Sequence, residues 1–253
     1  MAYRLFGCAV ALALAAQTGF AAAAELKVLT TPALSEVWHE LAPKFEATGH
    51  KLTIVYAPSG AIARRVTEGE AADLLVSTPA GIDTLIKSGK VTDGTNTAIA
   101  SSGMGVAVLK GAPKPDISTP EAFKRALLAA RAITHGNPKF GGLSGIHVAK
   151  VIEQLGVTAE MKSRTVLLDK PGLAGVLVAN GQADIVIQPI QELVPVAGID
   201  VVGPLPDALQ DTVAFPAAIM TGAKETDASN ALISFLRSPE AVTMIKALGM
   251  QPG

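Results

Sequence analysis

Cysteine is almost missing from this chain. Its 253 residues include one, Cys8, and that residue sits inside an N-terminal apolar run. A chain that loses Cys8 can build no disulfide framework or thiolate metal site and has no cysteine nucleophile. An excess of charge of either sign is also missing. The 21 basic and 22 acidic side chains nearly cancel, which argues against a nucleic-acid partner, since such a partner favours a basic face. Beyond the N-terminal run no apolar stretch approaches the ~20 residues of a membrane span. There is no GxSxG, HExxH or P-loop, and no GxGxxG opening a helix after a strand. The signatures of common hydrolases, zinc peptidases and nucleotide binders are therefore absent. No metal or cofactor is expected.

The N-terminus has a clear pattern. "MAYRLFGCAVALALAAQTGFAAAA" carries one cation, Arg4, then an apolar run from Leu5 to Ala16, then small residues at Ala22 to Ala24. This predicts a cleaved secretory signal peptide over 1–24, and with it a periplasmic product. Cys8 and Arg4 leave with that segment. The remaining chain, roughly 230 residues, is long enough to bury a core without covalent staples.

From Glu25 onward, short β-branched runs alternate with segments of helical period. "LKVLTT", "KLTIVYA" and "ADLLVST" predict strands. "SEVWHELAPKFEATG", "AIARRVTEGE" and "PAGIDTLIKSGK" predict helices, the first burying Leu34, Val37, Trp38, Leu41 and Phe45 and stopping at Gly49. A long extended run with internal glycines, "IASSGMGVAVL", breaks the alternation. A second cycle follows. It has helices at "PEAFKRALLAA", "GGLSGIHVAKVIEQLG" and "PGLAGVLVANGQ", and strands at "RAITHGN", "RTVLLDK" and "ADIVIQP". A further extended run, "DTVAFPAAIM", leads into two terminal helices divided at Pro239. The pattern predicts an α/β fold of two units, about a hundred residues each, with largely parallel sheets. Residues 25–102 and 209–253 form the first unit, and 103–208 the second. Two extended crossings between the units predict a hinge beside a central cleft.

Four strand-to-helix corners carry small hydroxyl or glycine residues: Thr30-Thr31, Ser59-Gly60, Ser77-Thr78 and Ser144-Gly145. Ligands of open α/β sheets gather at the carboxyl ends of the strands. A helix start there offers unpaired amides and the positive end of the dipole, which favour an anion. His147 lies in the first turn after Ser144, whereas His39 and His50 are expected in solvent and His135 at a strand end. Lys170 and Gln188 each stand at a predicted strand terminus, so both are expected at the cleft.

These corners resemble those of the periplasmic molybdate-binding proteins of bacterial ABC importers, which are type II solute-binding proteins. The stretches that carry the likeness are "KVLTTPALSEVWHELAPKFEATG", "YAPSGAIARRVTEGEAADLLVS", "SGIHVAKVIEQLG" and "FLRSPEAVTMIKALGMQP". The resemblance implies a two-lobed type II periplasmic binding protein fold with a two-strand hinge. It also implies a monomer that passes a small anion to a membrane permease. Ser59 falls where that family uses a serine on the oxyanion, and Thr78 and Ser144 fall where it uses backbone amides. Ala33 replaces a first-loop serine, Ile187 replaces a tyrosine, and Pro171 removes an N–H. Each lost bond costs about 1–3 kcal/mol, which shifts the expected ligand from a tetrahedral oxyanion to a carboxylate or polycarboxylate met by Lys170 and Gln188. A branch of the same resemblance, aconitate isomerase, implies an allylic proton shift with His147 or Lys170 as the proton carrier.

Overall fold

The computed structural model describes residues 23–140, 143–170 and 172–253. The expected leader over 1–24, with Cys8 and Arg4, lies outside the described residues except at its last two positions, and so does Pro171. In chain order the elements are β1 (Glu25–Thr30), α1 (Ser35–Glu46), β2 (Lys51–Tyr56), α2 (Ser59–Thr67), β3 (Leu74–Val76), α3 (Pro79–Lys87) and β4 (Thr97–Leu109). Then come α4 (Pro120–Ala129), β5 (Ile133–His135), α5 (Leu143–Gln154), α6 (Thr158–Lys162), α7 (Gly175–Ala179), β6 (Ile185–Pro189) and α8 (Ile190–Leu193). The chain closes with β7 (Ile199–Pro204), β8 (Thr212–Ile219), α9 (Thr226–Leu236), α10 (Pro239–Ala247) and β9 (Gln251–Pro252).

The strands follow the order β2-β1-β3-β8-β4-β6-β5, with β7 and β9 also paired to β4. Parallel pairing occurs at the two ends, in β2-β1-β3 and in β6-β5. The central pairs of β8 with β3 and of β4 with β8, β6, β7 and β9 are antiparallel. The sheet is therefore mixed: the βα cycles give parallel pairs, and the long strands that run through the middle give antiparallel ones.

Alternation along the strands sorts side chains onto two covered faces. Leu74 and Val76 join Leu26, Val28 and the α1 stripe of Val37, Trp38, Leu41 and Phe45, while Leu75 joins Leu29, Ile62 and Ile82. Farther along, Val106 and Ile187 pack with Phe123 and Val148, while Ala107 and Val186 pack with Ala174 and Leu193. Membership of these cores changes along β4 between Ala100 and Met104, and again between Leu209 and Phe215.

Three local readings differ from the sequence pattern. "RTVLLDK" is not a strand. Ile133 engages it through a single bridge at Thr165, with Ile133 N–H on Arg164 O and Val166 N–H on Ile133 O. Asn137 Nδ2 then donates to Leu168 O at 2.9 Å, which takes a carbonyl a ladder would need. The helix expected over "PGLAGVLVANGQ" shrinks to α7, which starts only at Gly175 and ends before Gly181, where φ is 71°. The short α6 and α8 have no counterpart in the sequence reading.

Candidate functional site

Two adjoining cavities, of about 510 and 500 Å³, open where the carboxyl ends of β1, β5 and β6 meet the starts of α2 and α5. Both are lined by Pro32, Ala33, Pro58, Ser144, Gln191 and Glu192. His135, Gly145, Lys170 and Gln188 add to the wall of the first. Thr31, Ser59, Gly60, Ser102, His147 and Asp211 add to the second.

Local chemistry sets each corner. Thr30 and Thr31 are neighbours on an extended backbone, so their side chains diverge. Thr30 is fully buried away from both cavities, and its Oγ1 accepts a hydrogen bond from Trp38 Nε1 at 3.0 Å. Thr31 lines the second cavity, is 5% exposed, and its Oγ1 has no hydrogen-bond partner among the described residues. Such a hydroxyl carries a desolvation cost of about 1–3 kcal/mol until something bonds it.

Ser59 is not a helix cap. Pro58 occupies that position, Ser59 is the first helical residue, and no side chain caps α2. Its Oγ instead accepts from the buried Ser77 hydroxyl at 3.0 Å, so its own proton can point elsewhere. The amides of Ser59 and Gly60 belong to the first turn, which has no intrahelical partners. Thr78 precedes α3 without a side-chain cap bond and lines neither cavity. At the start of α5 the backbone of Gly145 approaches Gly136 so closely that a β-carbon there would collide with the Gly136 carbonyl. Glycine is what lets that helix start press against the end of β5.

A second group of polar side chains comes from β6 and α8. Gly105 in β4 faces Ile190, which would occupy the place of a β-carbon. The missing side chain lets α8 lie against the strand and carries Gln191 and Glu192 into the cleft. Ser102 donates to Gln191 Oε1, and Gln191 is 4% exposed. Gln188 is 1% exposed and uses both ends of its amide: Oε1 accepts from Gly175 N–H at 3.2 Å, and Nε2 donates to Glu192 Oε2 at 2.8 Å. Burial pushes the Glu192 carboxyl up to about 7 from its ordinary value of 4.5. His135 Nδ1–H donates to Gly136 O at 2.8 Å, and burial pushes the pKa of this ring down, so it stands neutral with Nε2 as an acceptor.

His147, on the wall of the second cavity, is held by its Nε2–H on Leu209 O at 2.8 Å, with Nδ1 3.8 Å from Asp211 Oδ2. Lys170 is exposed at the mouth of the first cavity and has no acidic partner among the described residues. Ala33 lines both cavities, while Ile187 is buried in the core, so neither offers a side-chain donor to the cleft. Among the described residues no cluster of three His, Cys, Asp or Glu could hold a metal ion.

The cleft thus gathers Thr31, Ser59, Gly60, Ser144, Gly145, His147, Lys170 and Gln188, and leaves out Thr30 and Thr78. It also includes Glu192, Gln191, Ser102, His135 and Asp211, which sequence reasoning did not propose as site residues. His135 could have been found as a strand-end histidine. Glu192 had no local signal.

The chain matches the family of bacterial extracellular solute-binding proteins over residues 26–251. It is 32% identical to aconitate isomerase of a Pseudomonas species over 236 residues, covering 90% of this chain and 87% of that protein. It is 27% identical to the molybdate-binding protein ModA of Azotobacter vinelandii over 260 residues, covering 98% of each. A substrate binding domain assigned to a molybdenum ABC transporter of Clostridium difficile shares the fold, with a TM-score of 0.78, 17% identity and coverage of 90% and 99%. The chain belongs to the bacterial extracellular solute-binding protein family.

Proposed function

We propose that this solute-binding protein captures a small polycarboxylate in its cleft, in the periplasm, for delivery to an ABC-type permease. The observation that carries this reading is the two-ended chemistry of the adjoining cavities. One end holds the buried, unpartnered Thr31 hydroxyl with the Ser59 and Gly60 amides, and the other holds Lys170 with the start of α5. A compact oxyanion would engage one such end, whereas a ligand with separated carboxylates engages both. β4 and β8 run between the two groups of cores, and bending there would close residues 25–102 and 209–253 onto 103–208 as two lobes.

A second reading is favoured by Glu192 and by the likeness to an aconitate isomerase. An unneutralised carboxyl in the cleft could take a proton from an allylic CH₂ of an unsaturated tricarboxylate and return it to the other end of the shifted double bond. Such a group serves best when its pKa lies near the working pH.

Thermal unfolding in the presence of molybdate, tungstate, sulfate, citrate, tricarballylate and cis- and trans-aconitate tests the first reading. A ligand at a hundred times its Kd adds about 2.7 kcal/mol. Stabilisation by polycarboxylates is expected, and nanomolar binding of molybdate or tungstate would refute it. Proton NMR of each aconitate isomer with the protein then tests for turnover.

A further inference from the structure

The charges on the cleft wall are wrong for a polyanion unless a proton joins it. Among the described lining residues Glu36, Glu192 and Asp211 are acidic, and Lys170 is the single lysine or arginine. Glu36 and Asp211 have access to solvent, where water and ions screen them. Glu192 lines both cavities, so a ligand that spans them passes directly over it.

Gln188 decides which oxygen of Glu192 can hold a proton. Its own Oε1 is committed to Gly175 N–H, so the amide cannot turn, and Nε2–H must face Glu192 Oε2. An oxygen that accepts that bond is the poorer site for the proton. Oε1, which has no partner among the described residues, is the better one. The neutral acid then offers an O–H to a ligand carboxylate, whereas the ionised form offers only repulsion. We propose that Glu192 is a ligand-contacting group that meets an incoming carboxylate as the neutral acid, so that capture of a polycarboxylate takes up one proton. The inference rests on the polycarboxylate reading given above.

The surroundings of Glu192 contain few competing groups. On α8 it is the only titratable residue, and β4, β6 and α7 bring none. Strand β7 brings Asp200, which is bonded to Gly111 N–H. The turn after α10 packs Gly249 on Ile190 and Val194, and the last turn of α10 brings the exposed Lys246. The cavity walls bring His135, held neutral, the His147–Asp211 pair, Glu36 and Lys170. His147 and the open Nε2 of His135 are thus the rival proton acceptors on these walls. Raised by burial to about 7, Glu192 is largely ionised at pH 8 and has the proton to gain.

Calorimetric titration of the intact protein with trans-aconitate and with citrate, in buffers of different ionisation enthalpy, counts the protons. Close to one proton taken up per ligand is expected at pH 8, falling toward none at pH 5.5, with affinity dropping about tenfold per pH unit above 7. Glu192→Gln places an amide N–H where the acid O–H would be, so its binding should be pH-independent and free of proton uptake. His147→Gln and His135→Gln should each keep the uptake. Wild-type binding without uptake at pH 8, or uptake that disappears with His147 and persists without Glu192, would overturn the proposal and leave the polycarboxylate reading intact. Absence of heat with either ligand and of any thermal shift would sink both.

Discussion

The Ser77 hydroxyl lies 3.0 Å from Ser59 Oγ and joins the end of β3 to the first residue of α2. Ser77 is 1% exposed, so the bond is fixed from the core side. It satisfies a lone pair of Ser59 and leaves the Ser59 proton free to donate elsewhere. Ser59→Ala should weaken polycarboxylate binding by roughly ten- to a hundred-fold, the worth of a hydrogen bond to a charged group at about 1.5–3 kcal/mol. Ser77→Ala should cost less, because the donor remains and only its rotor is freed. Calorimetry on the pair checks this, and equal losses would show that Ser59 acts only through Ser77.

The two threonines at the end of β1 should respond in opposite ways. Thr30→Val strips the partner from a buried indole N–H and should lower unfolding free energy by about 1–3 kcal/mol with little change in affinity. Thr31→Val removes a hydroxyl that has no partner, so the unliganded protein should hold its stability or gain up to about 1 kcal/mol, while ligand affinity falls at least several-fold. Denaturant unfolding and titration together separate the two outcomes. A large loss of stability in Thr31→Val would mean that its hydroxyl is bonded in the free protein.

Glu192 sets a pH window for stability. Its folded value of about 7 lies above the ordinary 4.5, so between those limits the folded state binds more protons than the unfolded chain. Stability from this group therefore falls as pH rises through that interval, and above about pH 7 the cost is fully expressed. Glu192→Gln should raise the stability of the unliganded protein at pH 8 by about 1–3 kcal/mol, and the gain should vanish below about pH 4.5. His135 acts in the other direction, because burial lowers its pKa below 6.5 and stability is lost as pH falls below that value. A gain from Glu192→Gln that does not change with pH would contradict the assignment.

On the polycarboxylate reading, Lys170 meets one end of the ligand. Lys170→Met should weaken a tricarboxylate by about tenfold or more, near 1.4 kcal/mol. It should change little for an analogue lacking the carboxylate that faces it. Equal losses for both ligands would place Lys170 outside the recognition of that group.

Asp73 ties the returning C-terminal segment to the first strands. One oxygen accepts from Lys27 N–H at 2.9 Å, and the other accepts from Lys224 and Glu225 N–H at 2.9 and 3.2 Å. Asp73→Asn turns an amide NH₂ toward these donors and should cost roughly 2–4 kcal/mol of stability. A melting temperature within a degree of the parent would show that water replaces these bonds.

The helical stripe of α1, the strands around it and the glycine-bearing crossing of β4 were legible because period and punctuation are local. Gly105 was visible as a glycine inside a strand, but its reason, the approach of Ile190, depends on where β6 turns into α8. Glu192 was invisible for the same cause. It sits on a four-residue helix after Pro189, too short to show a period, and only the β4–β6 register brings it to the cavities. "RTVLLDK" misled because apolar composition favours a strand, while strand formation also needs a free neighbouring ladder, and β5 offers this segment one bridge. Thr30 and Thr31 look alike as residues. Which of them faces the cleft follows from the pairing of β1.

β8 lies between β3 and β4, yet its residues come more than a hundred positions after either. A chain emerging from its N-terminus therefore makes β1, β2 and β3 long before the strand that covers the β3 edge exists. Until Thr212–Ile219 arrive, that edge presents Leu74, Leu75 and Val76 with unpaired backbone groups, the arrangement that invites pairing with other chains. Residues 104–209 supply their own apolar clusters and can collapse earlier. Closing that edge therefore waits for β8, and the first half of the chain is sealed by a strand made near its end. A chain cut before Thr212 should leave this first half open and prone to self-association, while the middle of the sequence stays compact.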